Sequence, residues 1–97
     1  MKEDEAKEIL NDFIKEFKNM SYDELSRYQG KNNIYAVEAN GVSGKKYQIE
    51  MYSFIEDQNL KSLRVVVTLF KRAIVFPFFN NSLSDDFIIL PNGQFLD

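Results

Sequence analysis

The sequence predicts an α+β fold: two N-terminal helices packed on an antiparallel meander sheet of four to five strands. Two observations predict it. Apolar residues recur at helical spacing up to about Met20, and beyond Asn33 they recur at every second position instead. Short polar connections separate the alternating segments, and short connections join antiparallel neighbours. At 97 residues the chain is expected to be a single domain, helical over 1–30 and sheet-forming over 33–97.

Two helices are predicted in the first third of the chain. The apolar residues from Glu3 to Met20 fall three and four positions apart, which places them on one face of a helix. They are Ala6, Ile9, Leu10, Phe13, Ile14, Phe17 and Met20. Ser21 and Glu24 then match a capping box, because each side chain can bind the free backbone amide of the other. This pair predicts a second, short helix, and Gly30 is predicted to end the helical part.

The rest of the chain alternates between apolar and polar residues and is predicted to form strands. Three strands are predicted in the segments IYAVEA, KYQIEMYSFI and SLRVVVTLF. A fourth, AIVFPFF, is placed beside the third by pairing Leu69 with Ile74. Pro77 cannot donate to a ladder, so it places this strand at an edge or ends its pairing early. On this pairing Phe76 and Phe78 close the core. FIIL, the turn PNG and then QFL are predicted to add a short fifth strand and a return.

A resemblance rests on YAVEANG, YQIE, LRVVV and the C-terminal SDDFIILPNGQF. Over roughly Ile34 to Phe95 the chain resembles a group of small, uncharacterised bacterial proteins. Their chains end in a strand, a Pro-Asp-Gly or Pro-Asn-Gly turn, and a Phe. The resemblance implies a similar sheet and a bacterial origin, and it implies no activity.

The composition disfavours most enzymes. The chain has no cysteine and no histidine, which removes thiol nucleophiles, thiolate–imidazole metal sites and the commonest proton carrier near neutral pH. We therefore predict a non-enzymatic protein without catalytic residues, metal or cofactor, and keep a carboxylate-based enzyme as a third alternative. The acidic N-terminal segment MKEDEAKEIL lacks the pattern of a signal peptide, and no apolar run is long enough to span a membrane. A cytoplasmic protein is expected.

Two polar segments could be interpreted as ligand-binding sites, but each is more simply interpreted as a connection between strands. Asp85 and Asp86, after Asn80, Asn81 and Ser82, offer oxygens to a cation, but their spacing matches no calcium loop. A polar connection before the strand FIIL is the preferred interpretation. The segment NGVSGKK has the glycines and lysines of a phosphate cradle but joins two strands, and a hairpin turn is preferred there.

A basic end of the sheet is the basis of the second functional hypothesis. The first and third connections lie at the same end of a meander and should bring four basic residues together, namely Lys45, Lys46, Lys71 and Arg72. Glu56, Asp57, Asp85 and Asp86 are predicted at the opposite end. The basic end would bind a phosphate or a nucleic acid, although the formal net charge of −3 disfavours a general nucleic-acid binder.

The leading hypothesis is a binding protein that acts through the sheet face opposite the helices. The predicted pairing gathers apolar residues on half of that face, and they form the predicted contact face: Ile34, Tyr52, Phe54, Val66 and Phe79. The other half is polar. A large apolar patch is seldom left in water, so it should be covered by the C-terminal segment or by another chain. A second copy in a two-fold homodimer is the simplest partner, and an inhibited protein, by analogy with antitoxin and immunity proteins, is another.

Overall fold

The computed structural model describes residues 2–71 and 82–96, and it has the predicted α+β architecture. Helix α1 spans Lys2–Lys18. Its buried side chains keep the predicted spacing and form the contact with the sheet: Ala6, Leu10, Ile14 and Phe17. The helix ends before Met20, whose backbone amide donates to the Phe17 carbonyl in a tighter turn (3.0 Å).

Helix α2, Tyr22–Ser26, begins with the predicted capping box. The Glu24 amide donates to Ser21 Oγ and the Ser21 amide donates to Glu24 Oε1, each at 3.1 Å. The bond from the Ser21 amide lowers the pKa of the Glu24 carboxyl. Gly30 has the positive φ of 92° that favours glycine, but a 3₁₀ turn over Lys31–Asn33 follows it. Helix α2 itself ends at Ser26, so Gly30 does not stop it directly but separates it from this 3₁₀ turn.

The five strands form one antiparallel sheet in chain order, β1-β2-β3-β4-β5. Their bounds are β1 Tyr35–Asn40, β2 Lys46–Asp57, β3 Ser62–Lys71, β4 Ser82–Ile89 and β5 Phe95–Leu96. The first three strands and their pairing agree with the prediction, including Tyr52 opposite Val66. A register shift after Ile55 leaves Glu56 as an extra residue opposite the start of β3.

The predicted position of the fourth strand is wrong. Leu69 faces Leu83, and Leu63 faces Ile89, so the free edge of β3 is taken by β4. A strand has only two hydrogen-bonding edges, and β2 holds the other one. The segment FIIL, which was expected to form a short fifth strand, therefore belongs to β4. Strand β5 lies within the segment QFL. Residues 73–79, with Phe76 and Phe78, lie outside the described residues.

The core lies between the helices and one face of the sheet, which we call the inner face. Its strand residues are fully or almost fully buried: Tyr47, Ile49, Met51, Leu63, Val65, Val67, Leu69, Phe87 and Ile89. Ser53 is the polar member of this face and is 1% exposed. Its hydroxyl donates to the Leu25 carbonyl of α2 at 2.8 Å, which satisfies both buried groups. Among the described residues, no helix is long and apolar enough to cross a membrane.

Glu5 of α1 joins that helix to the connection between β1 and β2. Its carboxylate accepts hydrogen bonds from the Ser43 amide (3.0 Å), the Ser43 hydroxyl (2.7 Å) and the Tyr47 hydroxyl (2.7 Å). The Tyr47 and Ser43 bonds lower the pKa of Glu5. Burial, together with the nearby carboxylate, raises the pKa of Tyr47 to about 12. A side chain at Gly41 would overlap this carboxylate, which would then have to move away from its hydrogen-bond partners.

The raised pKa of Tyr47 predicts a loss of stability in alkaline solution. The unfolded residue ionises near pH 10.0 and the folded one near pH 12, so its stabilising effect is complete below pH 10.0 and is lost as the pH rises towards about 12. In Tyr47→Phe, the denaturant midpoint should fall less over this range than in the wild type. Equal slopes for the wild type and Tyr47→Phe would contradict the assignment.

Candidate contact face and basic end

The face of the sheet opposite the helices, which we call the outer face, is divided into a polar and an apolar half. The polar half is as predicted and includes Glu38, Gln48, Glu50 and Thr68. Its side chains bond to one another: Gln48 Nε2 donates to Glu50 Oε2 (3.0 Å), and the hydroxyls of Thr68 and Ser84 lie 2.9 Å apart. A solvated antiparallel face has this character.

The apolar half consists of six side chains that we call the apolar patch: Ile34, Tyr52, Phe54, Val66, Ile88 and Leu96. Ile34, Tyr52, Phe54 and Leu96 are each 39 to 42% exposed. The rings of Tyr52 and Phe54 stack with their centroids 6.3 Å apart and an interplanar angle of 24°. Four of the five predicted contact residues therefore come together. The fifth, Phe79, lies outside the described residues.

The sequence did not indicate Ile88 and Leu96 as members of the patch. They join it because β4 occupies the edge of β3 that was assigned to another segment, which places Ile88 opposite Arg64 and Leu96 opposite Ile88. The signal was the alternation in DDFIIL, in which Phe87 and Ile89 face the core and Ile88 faces the other way. It could be interpreted only once the partner strand was known.

An ion-paired arginine lies within the apolar patch. Arg64 stands between Phe54 and Ile88 across the sheet. Its guanidinium contacts Glu56 through Nε and Nη2, and its Nη1 lies 3.0 Å from Asp86 Oδ2. The bond with Glu56, and then the charge of Asp86, raise the pKa of Arg64. The positive charge is therefore compensated inside the chain, and the arginine stem continues the apolar surface.

The C-terminal segment does not cover the outer face. Phe87 and Ile89 are buried on the inner face, and the Phe95 ring meets Phe87 there at a centroid distance of 5.8 Å. The turn over Pro91–Gly93 is tight, because the Leu90 amide donates to the Gln94 carbonyl at 2.8 Å. It therefore returns β5 beside β4 in the plane of the sheet. The predicted alternative of a cover formed by Phe87, Ile89 or Phe95 is wrong.

Asp85 and Asp86 are not in a connection, contrary to the sequence interpretation. They lie in the middle of β4, opposite Val67 and Val66, and not at the sheet end that holds Glu56 and Asp57. Asp86 pairs with Arg64, and Asp85 Oδ1 accepts the Asp86 amide at 2.8 Å. The prediction failed because it gave the place beside β3 to another segment. Within residues 2–71 and 82–96, no three acidic side chains gather in a way that suits a metal ion.

The basic residues share one end of the sheet but not one surface. Lys46 precedes the inward-facing Tyr47 and lies on the outer side of β2, whereas Lys71 follows the buried Leu69 in the alternation and lies on the inner side of β3. Lys45 lies in the connection, close enough to Glu5 for its charge to lower the pKa of that carboxyl. Arg72 is outside the described residues. The sheet thus separates the lysines that the sequence grouped together.

The segment NGVSGKK forms the preferred hairpin connection. The Gly41 amide donates to the Lys45 carbonyl and the Gly44 amide donates to the Gly41 carbonyl, both at 2.9 Å. The Ser43 amide and hydroxyl, which a phosphate would use, bind the Glu5 carboxylate instead. The Glu5 carboxylate therefore occupies the position in which a phosphate would bind this connection.

Comparison of the chain with protein-family models, with curated proteins and with solved structures gave no match.

Proposed function

We propose that the chain is a non-enzymatic, cytoplasmic binding protein whose outer face pairs with the same face of a second copy. One observation carries the proposal: half of an otherwise polar sheet face is apolar and exposed. An isolated exposed leucine or phenylalanine is ordinary, but six apolar side chains gathered on one half of a face around the stem of Arg64 are typical of an interaction surface.

The size of the face supports a second copy as its partner. With strands about 4.8 Å apart and an average of about eight residues per strand at about 3.4 Å per residue, the five-stranded outer face has an area of about 650 Å². A standard interface buries about 800 Å² per partner, so the whole outer face, with its polar half around the apolar patch, is of the right order for a stable dimer. Two sheets that pack face to face would interdigitate their side chains as in a sandwich.

The charges on the face also support self-association. A two-fold axis brings the same patch onto itself, which is unfavourable where an unpaired charge lies at its centre. Arg64 is already paired with Glu56 and Asp86 of its own chain. The guanidinium therefore brings no unpaired positive charge to the axis, and two copies meet chiefly through Tyr52 and Phe54. Aromatic residues and arginine are enriched at interfaces.

The proposal is tested by placing charges in the apolar patch. Phe54→Lys with Val66→Lys should give a folded chain with unchanged circular dichroism and a mass in solution of 11.4 kDa, half that of the wild-type dimer. Two lysines buried without partners at an interface would cost more than the contact gains. The mass is measured by light scattering coupled to size exclusion.

A matched control makes the same chemical change outside the patch. Val42→Lys with Leu60→Lys also replaces two exposed apolar residues, at 103% and 55% exposure, but in connections between strands. This control should remain dimeric. A Phe54, Val66 double variant that keeps the wild-type mass would exclude the patch as the interface. A wild type that is monomeric but retains a different protein through the patch would assign the face to a heterologous partner and exclude the dimer.

A further inference from the structure

A groove separate from the apolar patch lies where the two helices meet the turn between β4 and β5. It has a volume of about 310 Å³. Its apolar surface comes from Met20, Ile89, Pro91 and Phe95, and Lys18 and Asp23 also line it. The volume is at the small end of the range for ligand pockets, so the groove suits a ligand that is only slightly larger than one amino-acid side chain.

The groove holds two opposite charges that do not pair with each other. The described part of the chain provides no carboxylate within ion-pairing distance of the Lys18 ammonium, and no cation pairs with the Asp23 carboxylate. Lys18 Nζ instead lies 5.6 Å from the centroid of Phe87 and 5.5 Å from that of Phe95. The two rings hold the ammonium in position by cation–π attraction while leaving its hydrogen-bond donors available.

The local fold places both charged residues on the same groove. Lys18 is the last residue of α1, and Asp23 is the second residue of α2, so the corner capped by Ser21 holds the two on the same groove. The Ser21 hydroxyl and amide are used by the capping box, and the Tyr22 hydroxyl donates to the Lys61 carbonyl. Among the described side chains that line the groove, Lys18 and Asp23 thus carry the charge available to a ligand.

We propose that this groove binds a free α-amino acid with an apolar side chain. Its carboxylate would bind Lys18 and its ammonium would bind Asp23, and its side chain would lie against Met20, Pro91 and Phe95. A ligand with only a carboxylate or only an amine would pair with one of the two charged residues, and a fully apolar ligand would pair with neither. The inference also accounts for Phe95, an aromatic residue that is 42% exposed although it lies on the helix side of the sheet.

The test is a titration of the ¹⁵N-labelled protein with L-leucine, followed by ¹H–¹⁵N correlation spectra. Saturable shifts in the millimolar range are expected, confined to the amides of Met20–Asp23 and Asn92–Phe95. N-acetyl-L-leucine lacks the ammonium and L-leucinamide lacks the carboxylate, so each should bind about three- to fivefold more weakly, the effect of one exposed ion pair.

Variants assign the two charges. Lys18→Gln should weaken L-leucine binding about three- to fivefold and remove the preference over L-leucinamide, and Asp23→Asn should remove the preference over N-acetyl-L-leucine. Lys15→Gln and Asp12→Asn change exposed residues of the same helix outside the groove and should leave the titration unchanged. Absence of saturable shifts, equal binding of L-leucine and both derivatives, or an unchanged titration in Lys18→Gln would each overturn the proposal. The dimer is not involved, because the groove and the apolar patch share no residue.

Discussion

Replacing Phe17 by alanine is expected to lower the free energy of unfolding by about 3 to 5 kcal/mol, the usual cost of deleting a buried aromatic ring. Phe17 is 3% exposed and lies between α1 and the sheet. Its ring meets that of Tyr35 edge to face at a centroid distance of 5.3 Å and lies 6.1 Å from that of Phe13. The change would also remove the ring contact between the helix and Tyr35 of β1. Since small domains have total stabilities of about 5 to 15 kcal/mol, the variant is close to unfolding.

Phe13→Ala provides the comparison within the same helix. Phe13 packs against the core but is only partly buried, so the same change removes less contact and leaves less of a cavity. Denaturant melts followed by circular dichroism should show a smaller loss than for Phe17→Ala. A loss under about 1 kcal/mol for Phe17→Ala, or a larger loss for Phe13→Ala, would mean that the helix packs through a different side.

Leu25→Ala is expected to cost about 2 to 5 kcal/mol, because the fully buried Leu25 is the only residue of α2 that lies in the core. Its backbone carbonyl also accepts the hydroxyl of the buried Ser53. Loss of the side chain should therefore loosen both the apolar contact and the hydrogen bond that hold α2 on the sheet. Hydrogen exchange should increase first at the Ser53 amide, which donates to the Tyr28 carbonyl.

Leu60→Ala is the matched control for this change. Leu60 is 55% exposed in the connection between β2 and β3, and truncating it should alter the stability by less than about 0.5 kcal/mol. Similar losses for the two leucine variants would show that α2 does not depend on its single buried side chain.

The parts of the fold predicted from the sequence are those determined by neighbouring residues. The buried stripe of α1 follows from a repeat within one helix, and the Ser21–Glu24 capping box from a spacing of three residues. The alternation in β1, β2 and β3 is strong because successive residues face opposite sides, and those that face the helices are less exposed than their neighbours. Each of these elements can therefore be predicted from a few neighbouring residues without knowledge of its contacts in the fold.

The fourth strand shows where local pattern is insufficient. The segment AIVFPFF is far more apolar than SLSDDFII, yet it is the second that pairs with β3. Asp85 and Asp86 are unusual strand residues, and their place in β4 depends on the surrounding contacts, notably the pair between Asp86 and Arg64. Strand preference is decided by such neighbours and therefore cannot be determined from the segment alone.

The residues of the candidate sites also fall into those that could be predicted from the sequence and those that could not. Ile34, Tyr52, Phe54 and Val66 could be placed together from the pairing of the first three strands. The ion pairs of Arg64, the buried hydroxyl of Ser53 and the groove beside Lys18 could not, because each joins residues distant in the chain and ordinary in their local context.

The apolar patch is proposed as the interface between two copies of the chain. Sedimentation velocity of the wild-type chain over a range of concentrations tests this most directly, since the dimer fraction follows from mass action. A species of twice the chain mass of 11.4 kDa that grows with concentration, and that Phe54→Lys with Val66→Lys abolishes, is the predicted result. A single species of 11.4 kDa at every concentration up to the millimolar range would contradict it.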